Sequence, residues 1–591
     1  MKKIPKRHEI EDKYKWKLED IYADDSSFEA DFTKTEAYVK DMEAMQEGIT
    51  DAVGLKKCLN LYEDMFCLVD NLFSYSRMRM DEDNANSKHQ VMFSRARELA
   101  VRAGASAAFI EPLVLALPDE VVSDSVLDKY KIFISEILRK KAHTLSAPEE
   151  KILAKSAEAT GASQEIFSMF NNADIKFPEI KDEKGEMVEL TKGRYIAFVE
   201  SKDRRVRKDA FDALYDTYGS YKNTLAAAYT SSIKAMKFYS ETRGYGTSLE
   251  ASLDNDNITT DVYDNLIGTI NANLPLLHKY VKIRAKALGL KKANMYDIYV
   301  PLVDQADDKY SFEQACTLVA DSLGVLGDEY VSLLKKGFSS GWIDVLENEG
   351  KTSGAYSWGT YMSHPYVLLN YNGTLDNVFT LAHEMGHSLH TYYSSKAQPY
   401  IDSQYKIFVA EVASTVNEVL MVKHMLKKTT DTNKRAFLIN HFLESFRGTV
   451  FRQTMFAEFE KICHGSYSEG KPLSGDDLCK IHYDLNIKYH GEFCEVDDKI
   501  KHEWSRIPHY YRSFYVYKYA TGFSSAVAIA NMIEEEGAPA VERYINFLKA
   551  GGSEYPLEVL KKTGVDLSTP APIEAGMKMF ESLLDDFESL V

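Results

Sequence analysis

His383-Glu384-Met385-Gly386-His387 places two histidines four positions apart, with a glutamate directly after the first. Residues i and i+4 lie on one face of an α-helix, so both imidazoles can bind the same metal ion. The glutamate at i+1 points partly sideways, toward whatever else that metal holds. This pattern is typical of a Zn²⁺ site with a bound water and a carboxylate that takes the water's proton.

The residues around this pentad read as one amphipathic helix. At 100° per residue, His383, His387 and His390 fall within about 60° of one another. Thr374 or Asp376 can cap the start of the helix. The opposite face is an apolar stripe, so we expect packing on one side and a metal on the other; the stripe consists of Val378, Leu381, Met385, Leu389 and Tyr392.

A third metal ligand is expected from the next helical run, because catalytic zinc usually takes three protein ligands. Glu411 and Glu418 lie two turns apart on one face of the run Tyr405–Glu418. Two carboxylates on an otherwise apolar helix are costly to bury unless they are paired. One would bind the metal and the other would accept a histidine N–H, and helical geometry leaves open which is which. A solvated acidic face is the alternative.

The composition is that of an ordinary globular protein longer than one small domain. The chain has 591 residues, 45% hydrophobic and 27% charged, with a net charge of -18. This acidity argues against nucleic acid or an anionic membrane as the main partner. The basic start lacks the apolar core of a signal peptide, and no window approaches 18 uncharged apolar residues, so no transmembrane helix is expected. Six scattered cysteines without a CxxC pair indicate free thiols in a reducing cytoplasm.

Glycine and proline are sparse, and helical periodicity dominates most of the chain. Ser146–Glu150 has the serine, proline and acids of a helix start. Ile175–Ile180 and Glu186–Leu190, on either side of a polar turn, predict a β-hairpin at a possible lobe boundary. Val367–Tyr371 is β-prone and is either an edge strand that pairs with a peptide or an ordinary core strand. Gly354–Thr360 is either a mobile loop over a site or a plain connection.

An aromatic segment lies further along the chain, between Ile507 and Gly522. Five tyrosines and a histidine fall within about a dozen of its residues. Peptide hydrolysis at zinc forms an oxyanion, and O–H or N–H donors aimed at that oxygen stabilise it. The alternative is an aromatic core helix.

The stretch FTLAHEMGHSLH (379–390), followed by FVAEVASTVNE (408–418), resembles family M3 of zinc metallopeptidases. The oligoendopeptidase F branch of that family is the closer match. The similarity runs through most of the chain, since further matching motifs lie at Arg243–Leu249, Gly354–Thr360, His364–Tyr366 and Phe547–Ser553.

The resemblance implies a role for each matching residue of the metal site. One Zn²⁺ per chain would be held by His383, His387 and Glu411, with Glu384 as the general base. Glu418 matches the acid that hydrogen-bonds a ligand histidine. His390 and Asp376 are further candidates for orienting the ligands.

The M3 pattern also has a histidine–tyrosine loop in the region of the aromatic segment. By this resemblance, His509 and a neighbouring tyrosine would stabilise the oxyanion. The spacing from histidine to tyrosine departs from the thimet-type pattern, so we favour Tyr515 and Tyr517, with Tyr519 as the rival. The expected substrate-binding residues are His364, Tyr366 and Tyr519.

The resemblance implies a mainly α-helical, two-lobed protein with a deep substrate channel and a small β element beside the zinc helix. Residues 1–200 would form an N-terminal helical domain and residues 201–591 the catalytic domain. The expected function is zinc-dependent endopeptidase action on short, unstructured oligopeptides in the cytoplasm. A carboxypeptidase or peptidyl-dipeptidase of a related HExGH fold is the alternative. A non-catalytic peptide carrier with a structural metal is the rival from another class, and Glu384 argues against it. The oligomeric state does not follow from the sequence.

Overall fold

Helices make up most of the computed structural model, which describes residues 4–303 and 309–591. This agrees with the prediction of a mainly α-helical chain. The helices are α1 (Asp25–Ala44), α2 (Ala52–Glu82), α3 (Ser87–Ala107), α4 (Ile110–Ala116), α5 (Asp119–Val122), α6 (Lys131–Arg139), α7 (Ala147–Met169), α8 (Lys192–Val199), α9 (Arg204–Ser220), α10 (Lys222–Thr242), α11 (Ser248–Asp254), α12 (Thr260–Ala272), α13 (Leu274–Ala287), α14 (Phe312–Ser322), α15 (Asp328–Ser339), α16 (Leu375–Ala397), α17 (Ile407–Lys428), α18 (Thr432–Ser445), α19 (Arg452–Ser468), α20 (Gly475–His490), α21 (Tyr517–Glu536), α22 (Ala538–Ala550), α23 (Pro556–Thr563) and α24 (Ala571–Leu590). The strands are β1 (Glu179–Lys181), β2 (Met187–Glu189), β3 (Ala293–Asn294), β4 (Ile343–Asp344), β5 (Tyr356–Trp358), β6 (Tyr366–Leu368) and β7 (Cys494–Glu495).

Polar side chains explain where several of these helices begin. Ser146 and Glu149 form a capping box at the start of α7, with Pro148 in its first turn, so the predicted helix start is confirmed. At α16 the cap is Thr374, whose Oγ1 accepts a hydrogen bond from the backbone N–H of Asn377. A capping oxygen satisfies one of the backbone N–H groups that the first helical turn leaves unpaired.

The structure contains strands in both predicted β regions, the hairpin and the stretch Val367–Tyr371, and it decides between the two roles considered for the second. β1 and β2 pair antiparallel with Ile180 opposite Val188, which confirms the predicted hairpin. β4, β6 and β5 form a three-stranded sheet in that order. β6 is therefore the central strand and is fully buried, so the core-strand alternative for Val367–Tyr371 is correct there. β4 and β5 are the edge strands, and β5 lies inside the stretch that the sequence left as a loop or a connection.

The chain divides into two compact units that interleave along the sequence. Unit 1 comprises Met1–Ala142, Asp307–His424 and Ile529–Val565, and unit 2 comprises the three remaining segments, His143–Ala306, Met425–Ala528 and Asp566–Val591. Unit 1 contains both helices of the expected metal site, α16 and α17. The aromatic segment belongs to unit 2. The division at residue 200 stays a prediction.

One helical stretch is long and apolar enough to cross a membrane by length and composition alone, Ser87–Ala116, with 33% of its apolar window buried. It contains Arg102 and Glu111, and it is divided between α3 and α4. Leu99 and Ala103 are buried where α3 packs against α2. A core helix passes the same test, so this stretch alone is a weak sign of a membrane partner.

Candidate metal centre

A close crossing of α16 and α17 brings the two halves of the site together. Gly386 makes it possible, because a Cβ at this position would lie 2.6 Å from the Cα of Ser414 and 2.8 Å from the carbonyl oxygen of Ala413. Asn417 fixes the crossing, since its Nδ2 donates to the carbonyl of Ala382 at 3.0 Å. The glycine of the HEMGH pentad is therefore needed for helix packing.

Three donor atoms converge where the helices cross. His383 Nε2 lies 3.2 Å from His387 Nε2 and 3.4 Å from Glu411 Oε2, and His387 Nε2 lies 3.5 Å from the same oxygen. Zn²⁺ bonds of 2.0–2.2 Å in tetrahedral geometry separate neighbouring ligand atoms by roughly 3.3–3.5 Å. The three atoms thus have the spacing of one face of a zinc coordination tetrahedron. No other group of metal-binding side chains is found among residues 4–303 and 309–591.

Glu418 controls which nitrogen of His383 faces this triangle. Its carboxylate hydrogen-bonds His383 Nδ1. A carboxylate only accepts, so Nδ1 donates and the neutral ring keeps its Nε2 lone pair for a metal. Helical spacing left the two glutamates equivalent, and the geometry separates them: Glu411 faces both histidines and Glu418 stands behind one.

The charges of the cluster suit a divalent cation. Burial lowers the pKa of His383, but its hydrogen bonds to Glu411 and Glu418 outweigh that effect and raise the pKa well above its usual value. Burial raises the pKa of Glu411, and hydrogen bonds to the two histidines bring it below its usual value. Two carboxylates thus draw positive charge onto this site. A metal ion would supply that charge and release the proton.

Glu384 lies beside the triangle without joining it. The residue is 8% exposed, and burial raises the pKa of its carboxyl group. Its carboxylate has no hydrogen-bond partner in the described ranges. A carboxylate that is held in place by its helix and free to accept a proton is what a general base requires.

His390 and Asp376, the other candidates for orienting the ligands, do not reach the triangle. The ring of His390 stacks on Tyr405 at a centroid distance of 3.6 Å, and burial lowers the pKa of His390 to about 3. Asp376 is exposed in the first turn of α16. His390 thus contacts an aromatic ring, and Asp376 lies two turns before His383, so neither shows the hydrogen bond to a ligand that was expected of an orienting residue.

His364 and Tyr366, expected at the substrate, are engaged within unit 1. Tyr366 is fully buried in β6, and its hydroxyl donates to the carbonyl of Lys17 at 3.2 Å. His364 stacks on Trp342 at 5.1 Å, and its Nε2 lies 3.1 Å from a carboxylate oxygen of Asp20. Tyr366 is out of reach of a peptide, which corrects that expectation, whereas His364 is part-exposed and its contact with a peptide stays a prediction.

β5 is the element near α16 that sequence reasoning undervalued. Its Ser357 hydroxyl lies 2.8 Å from the hydroxyl of Ser388 on α16. β5 pairs with β6 on one side only within the described chain. An edge strand offers unpaired backbone N–H and C=O groups. The alternation in Tyr356-Ser357-Trp358 was the available signal.

In unit 2, the aromatic segment forms a cluster around His509. Its ring centroid lies 6.0 Å from those of Tyr515 and Tyr519, and the hydroxyl of Tyr519 is 3.5 Å from His509 Nε2. Burial lowers the pKa of His509. Tyr517 is fully buried, with its ring 5.1 Å from that of Tyr263. The burial of Tyr517 argues against that preference, and the choice between Tyr515 and Tyr519 stays a prediction.

A strained backbone residue supports this cluster. Phe514 has a φ of 60°, a left-handed conformation that is costly for a bulky side chain. Glu460 on α19 accepts a hydrogen bond from the backbone N–H of Phe514 at 2.8 Å. Such strain is concentrated at functional sites, and here it precedes Tyr515 directly. The sequence carried no signal for it.

Comparisons with known proteins identify relatives along most of the chain. The chain matches the pattern of Peptidase family M3 over residues 197–579 and that of Oligopeptidase F over residues 115–177. It is 45% identical to Oligopeptidase PepF of Bacillus subtilis, covering 100% of this chain and 89% of that protein. An Oligoendopeptidase F homolog of Lactococcus lactis is 39% identical, over 99% of this chain and 98% of the relative. The crystal structure of oligoendopeptidase-F from Enterococcus faecium is 35% identical with a TM-score of 0.75, covering 96% of this chain and 99% of that one.

Proposed function

Because the chain belongs to peptidase family M3, as a metalloendopeptidase of the oligoendopeptidase F type, we propose that its metal is zinc and that Glu384 is its general base. We propose short, unstructured oligopeptides as its substrates. The observation that carries the proposal is the triangle of His383 Nε2, His387 Nε2 and Glu411 Oε2, at mutual distances of 3.2–3.5 Å.

His383, His387 and Glu411 would hold the metal, and Glu418 would keep the His383 ring oriented. When bound, Zn²⁺ lowers the pKa of a coordinated water toward about 7 and polarises a carbonyl group. Imidazole and carboxylate donors in a three-ligand set are those of catalytic rather than structural zinc sites.

Glu384 moves the proton in the proposed reaction. Its carboxylate takes a proton from the attacking water and then delivers it to the nitrogen of the leaving amine. The raised pKa that burial gives this carboxyl group suits both halves of the transfer. The absence of a competing hydrogen bond in the described residues leaves the carboxylate free for the task.

His509 and a neighbouring tyrosine are proposed to stabilise the oxyanion. Tyr515 and Tyr519 are the candidates, since both rings lie beside His509. Neutral N–H and O–H donors stabilise a developing negative charge at oxygen. The lowered pKa of His509 favours the neutral imidazole.

The proposed substrate class follows from β5. An extended peptide can add to an edge strand through its own backbone, without a particular side-chain sequence. A folded protein has few free extended segments to offer. The proposal includes a cytoplasmic location, which the free thiols of all six cysteines support.

The test is Glu384→Gln, an isosteric change that removes the base. We expect kcat on an internally quenched peptide to fall at least 100-fold, with zinc content by atomic absorption unchanged. Glu347→Gln, an exposed control in unit 1, should behave as wild type. Full zinc together with wild-type kcat in Glu384→Gln would overturn the general-base assignment. Cleavage of a C-terminally amidated peptide separates an endopeptidase from a carboxypeptidase, which needs the free carboxylate.

A further inference from the structure

A small cavity in unit 2, with a volume of about 30 Å³, is lined by two arginines, Arg447 and Arg452, and by Glu503, which pairs with Arg452. We propose that it binds one small monovalent anion of the size of chloride. The cavity takes no part in the metal site, so this proposal does not depend on the peptidase function. The donors, the charges and the backbone around the cavity each support it.

The two arginines have donors to spare. Arg447 uses Nε and one terminal nitrogen on the same oxygen of Glu444, at 2.8 and 2.6 Å. Arg452 uses one terminal nitrogen on Glu503, at 2.7 Å. Each guanidinium has five N–H donors. Nη1 of Arg447, and Nε and Nη1 of Arg452, have no hydrogen-bond partner among the described residues.

The carboxylates that meet these arginines are already shared with further arginines. Arg284, which is fully buried, donates to Glu444 at 2.7 Å. Arg506 donates to Glu503 at 2.9 Å. Both carboxylates therefore contact two cations each. Burial raises the pKa of Glu503, but Arg452, His482 and Arg506 together outweigh that effect and hold the pKa well below its usual value.

The cluster as a whole carries more positive than negative charge. Four guanidinium groups meet two carboxylates, so the excess is two positive charges. His490 also lines the cavity, and burial lowers the pKa of His490 to about 4, so it is neutral at pH 7. Buried charges are costly unless they are paired, and the most buried of the four guanidinium groups are those of Arg284 and Arg447, with side chains 0% and 9% exposed. A water molecule can satisfy the spare donors but supplies no charge, whereas an anion does both.

The size and walls of the cavity select the anion. A volume of about 30 Å³ exceeds the ~10–15 Å³ that one water needs. Phe451, Met455 and Tyr489 give apolar and aromatic surface to its walls. A sulfate or phosphate would lose more hydration at these walls. The small volume and the apolar walls therefore favour a small, weakly hydrated anion such as chloride, bromide or nitrate.

The backbone at the cavity has an unusual form. Phe446–Phe451 is a π-helical turn between α18 and α19, and both Arg447 and Phe451 line the cavity. Such π turns are rare and are frequently found at functional sites, because the extra residue redirects side chains. Here the turn presents a guanidinium to the cavity wall.

The first test uses wild-type, zinc-loaded protein. Crystals soaked in sodium bromide should show an anomalous peak between the guanidinium groups of Arg447 and Arg452. In gluconate buffer of constant ionic strength, adding chloride should raise the melting temperature saturably, by about 2–4 °C at a 100-fold excess over Kd. No anomalous peak, or a shift equal for gluconate and chloride, would overturn the proposal.

The second test compares two arginines of unit 2. Arg452→Gln should lose the saturable chloride shift. Arg435→Gln, which removes an arginine paired with Asp586 and remote from the cavity lining, should keep it. An undiminished chloride shift in Arg452→Gln would refute the site. If Arg452→Gln fails to fold, the bromide peak in wild-type crystals decides the matter.

Discussion

At the scale of single residues, Glu411 and Glu418 are two identical side chains with different atoms facing them. Glu411 faces both histidine Nε2 atoms, whereas Glu418 meets only Nδ1 of His383. We predict that Glu418→Gln weakens zinc binding by about 10–100-fold, the usual effect of losing an orienting partner. Glu411→Gln should weaken it further, because a ligand is lost. Competition with a chelator measures both, and a larger loss in Glu418→Gln would reverse the assignment.

The tyrosines near His509 give a second prediction. Tyr515→Phe and Tyr519→Phe each remove one hydroxyl beside the histidine, and Tyr517→Phe removes one that is fully buried. Loss of an oxyanion donor costs about 10²–10³ in kcat. We expect that loss from Tyr515→Phe or Tyr519→Phe, with KM little changed. Tyr517→Phe is the matched control, and a loss of kcat confined to it would restore the original preference.

Glu460 links stability to pH in a defined direction. Burial raises the pKa of its carboxyl group to about 8. In the unfolded chain this carboxyl group ionises once the pH exceeds its usual pKa of about 4.5. The contribution of Glu460 to stability therefore falls as the pH rises from 4.5 to 8. Glu460→Gln cannot ionise, and its melting temperature relative to wild type should therefore increase over that window. The titratable side chains that face it stay neutral there, their pKa values shifted by burial: Tyr229, Tyr263, Tyr510, Cys463 and His464.

Calorimetry at pH 5 and pH 8 measures the effect. Glu469→Gln is a suitable control, since Glu469 is exposed and pairs with Lys471 on the surface. If the difference in melting temperature between Glu460→Gln and wild type were the same at both pH values, the buried carboxyl group would not be neutral as proposed.

At the scale of elements, α16 and α17 can cross closely because Gly386 has no Cβ. In Gly386→Ala the new Cβ would meet backbone atoms of Ser414, which cannot rotate away. α17 must shift, and Glu411 shifts with it. We predict zinc affinity at least 10-fold weaker with the helical circular dichroism unchanged. Gly465→Ala is the control, because its Cβ meets nothing within 4 Å; equal zinc affinity in both variants would refute the crossing.

The metal helix was the most predictable element, because its apolar stripe, its histidines and its threonine cap lie within one local pattern. The pairing of α16 with α17 followed from the chemistry of zinc. Sequence could not show that β5 is an edge strand, because strand order depends on contacts distant in the chain. The left-handed Phe514 and the buried position of Tyr517 depend on Glu460 and Tyr263, which lie over fifty residues away. The local periodicity of a sequence does not predict such long-range contacts.

At the scale of the whole molecule, zinc should stabilise one unit selectively. All three proposed ligands belong to unit 1. Binding to the folded state alone raises stability through mass action. We predict that zinc increases hydrogen-exchange protection in α16 and α17, with little change in α18–α20 of unit 2. Mass spectrometry of chelated and reloaded protein measures this, and uniform protection across both units would contradict the selectivity.

The interleaving of the units also bears on how the protein is made. Unit 1 requires residues 529–565, and unit 2 requires α24, which begins at Ala571. A ribosome therefore has to release residues 529–565 before unit 1 has all its parts, and α24 before unit 2 has all of its own. The zinc ligands emerge more than a hundred residues earlier, on a unit that still lacks α22, the helix packed against α16. Peptide hydrolysis should consequently begin only after residues 529–565 have emerged and folded onto unit 1, so neighbouring nascent chains, which are unstructured peptides themselves, are not exposed to a half-made enzyme.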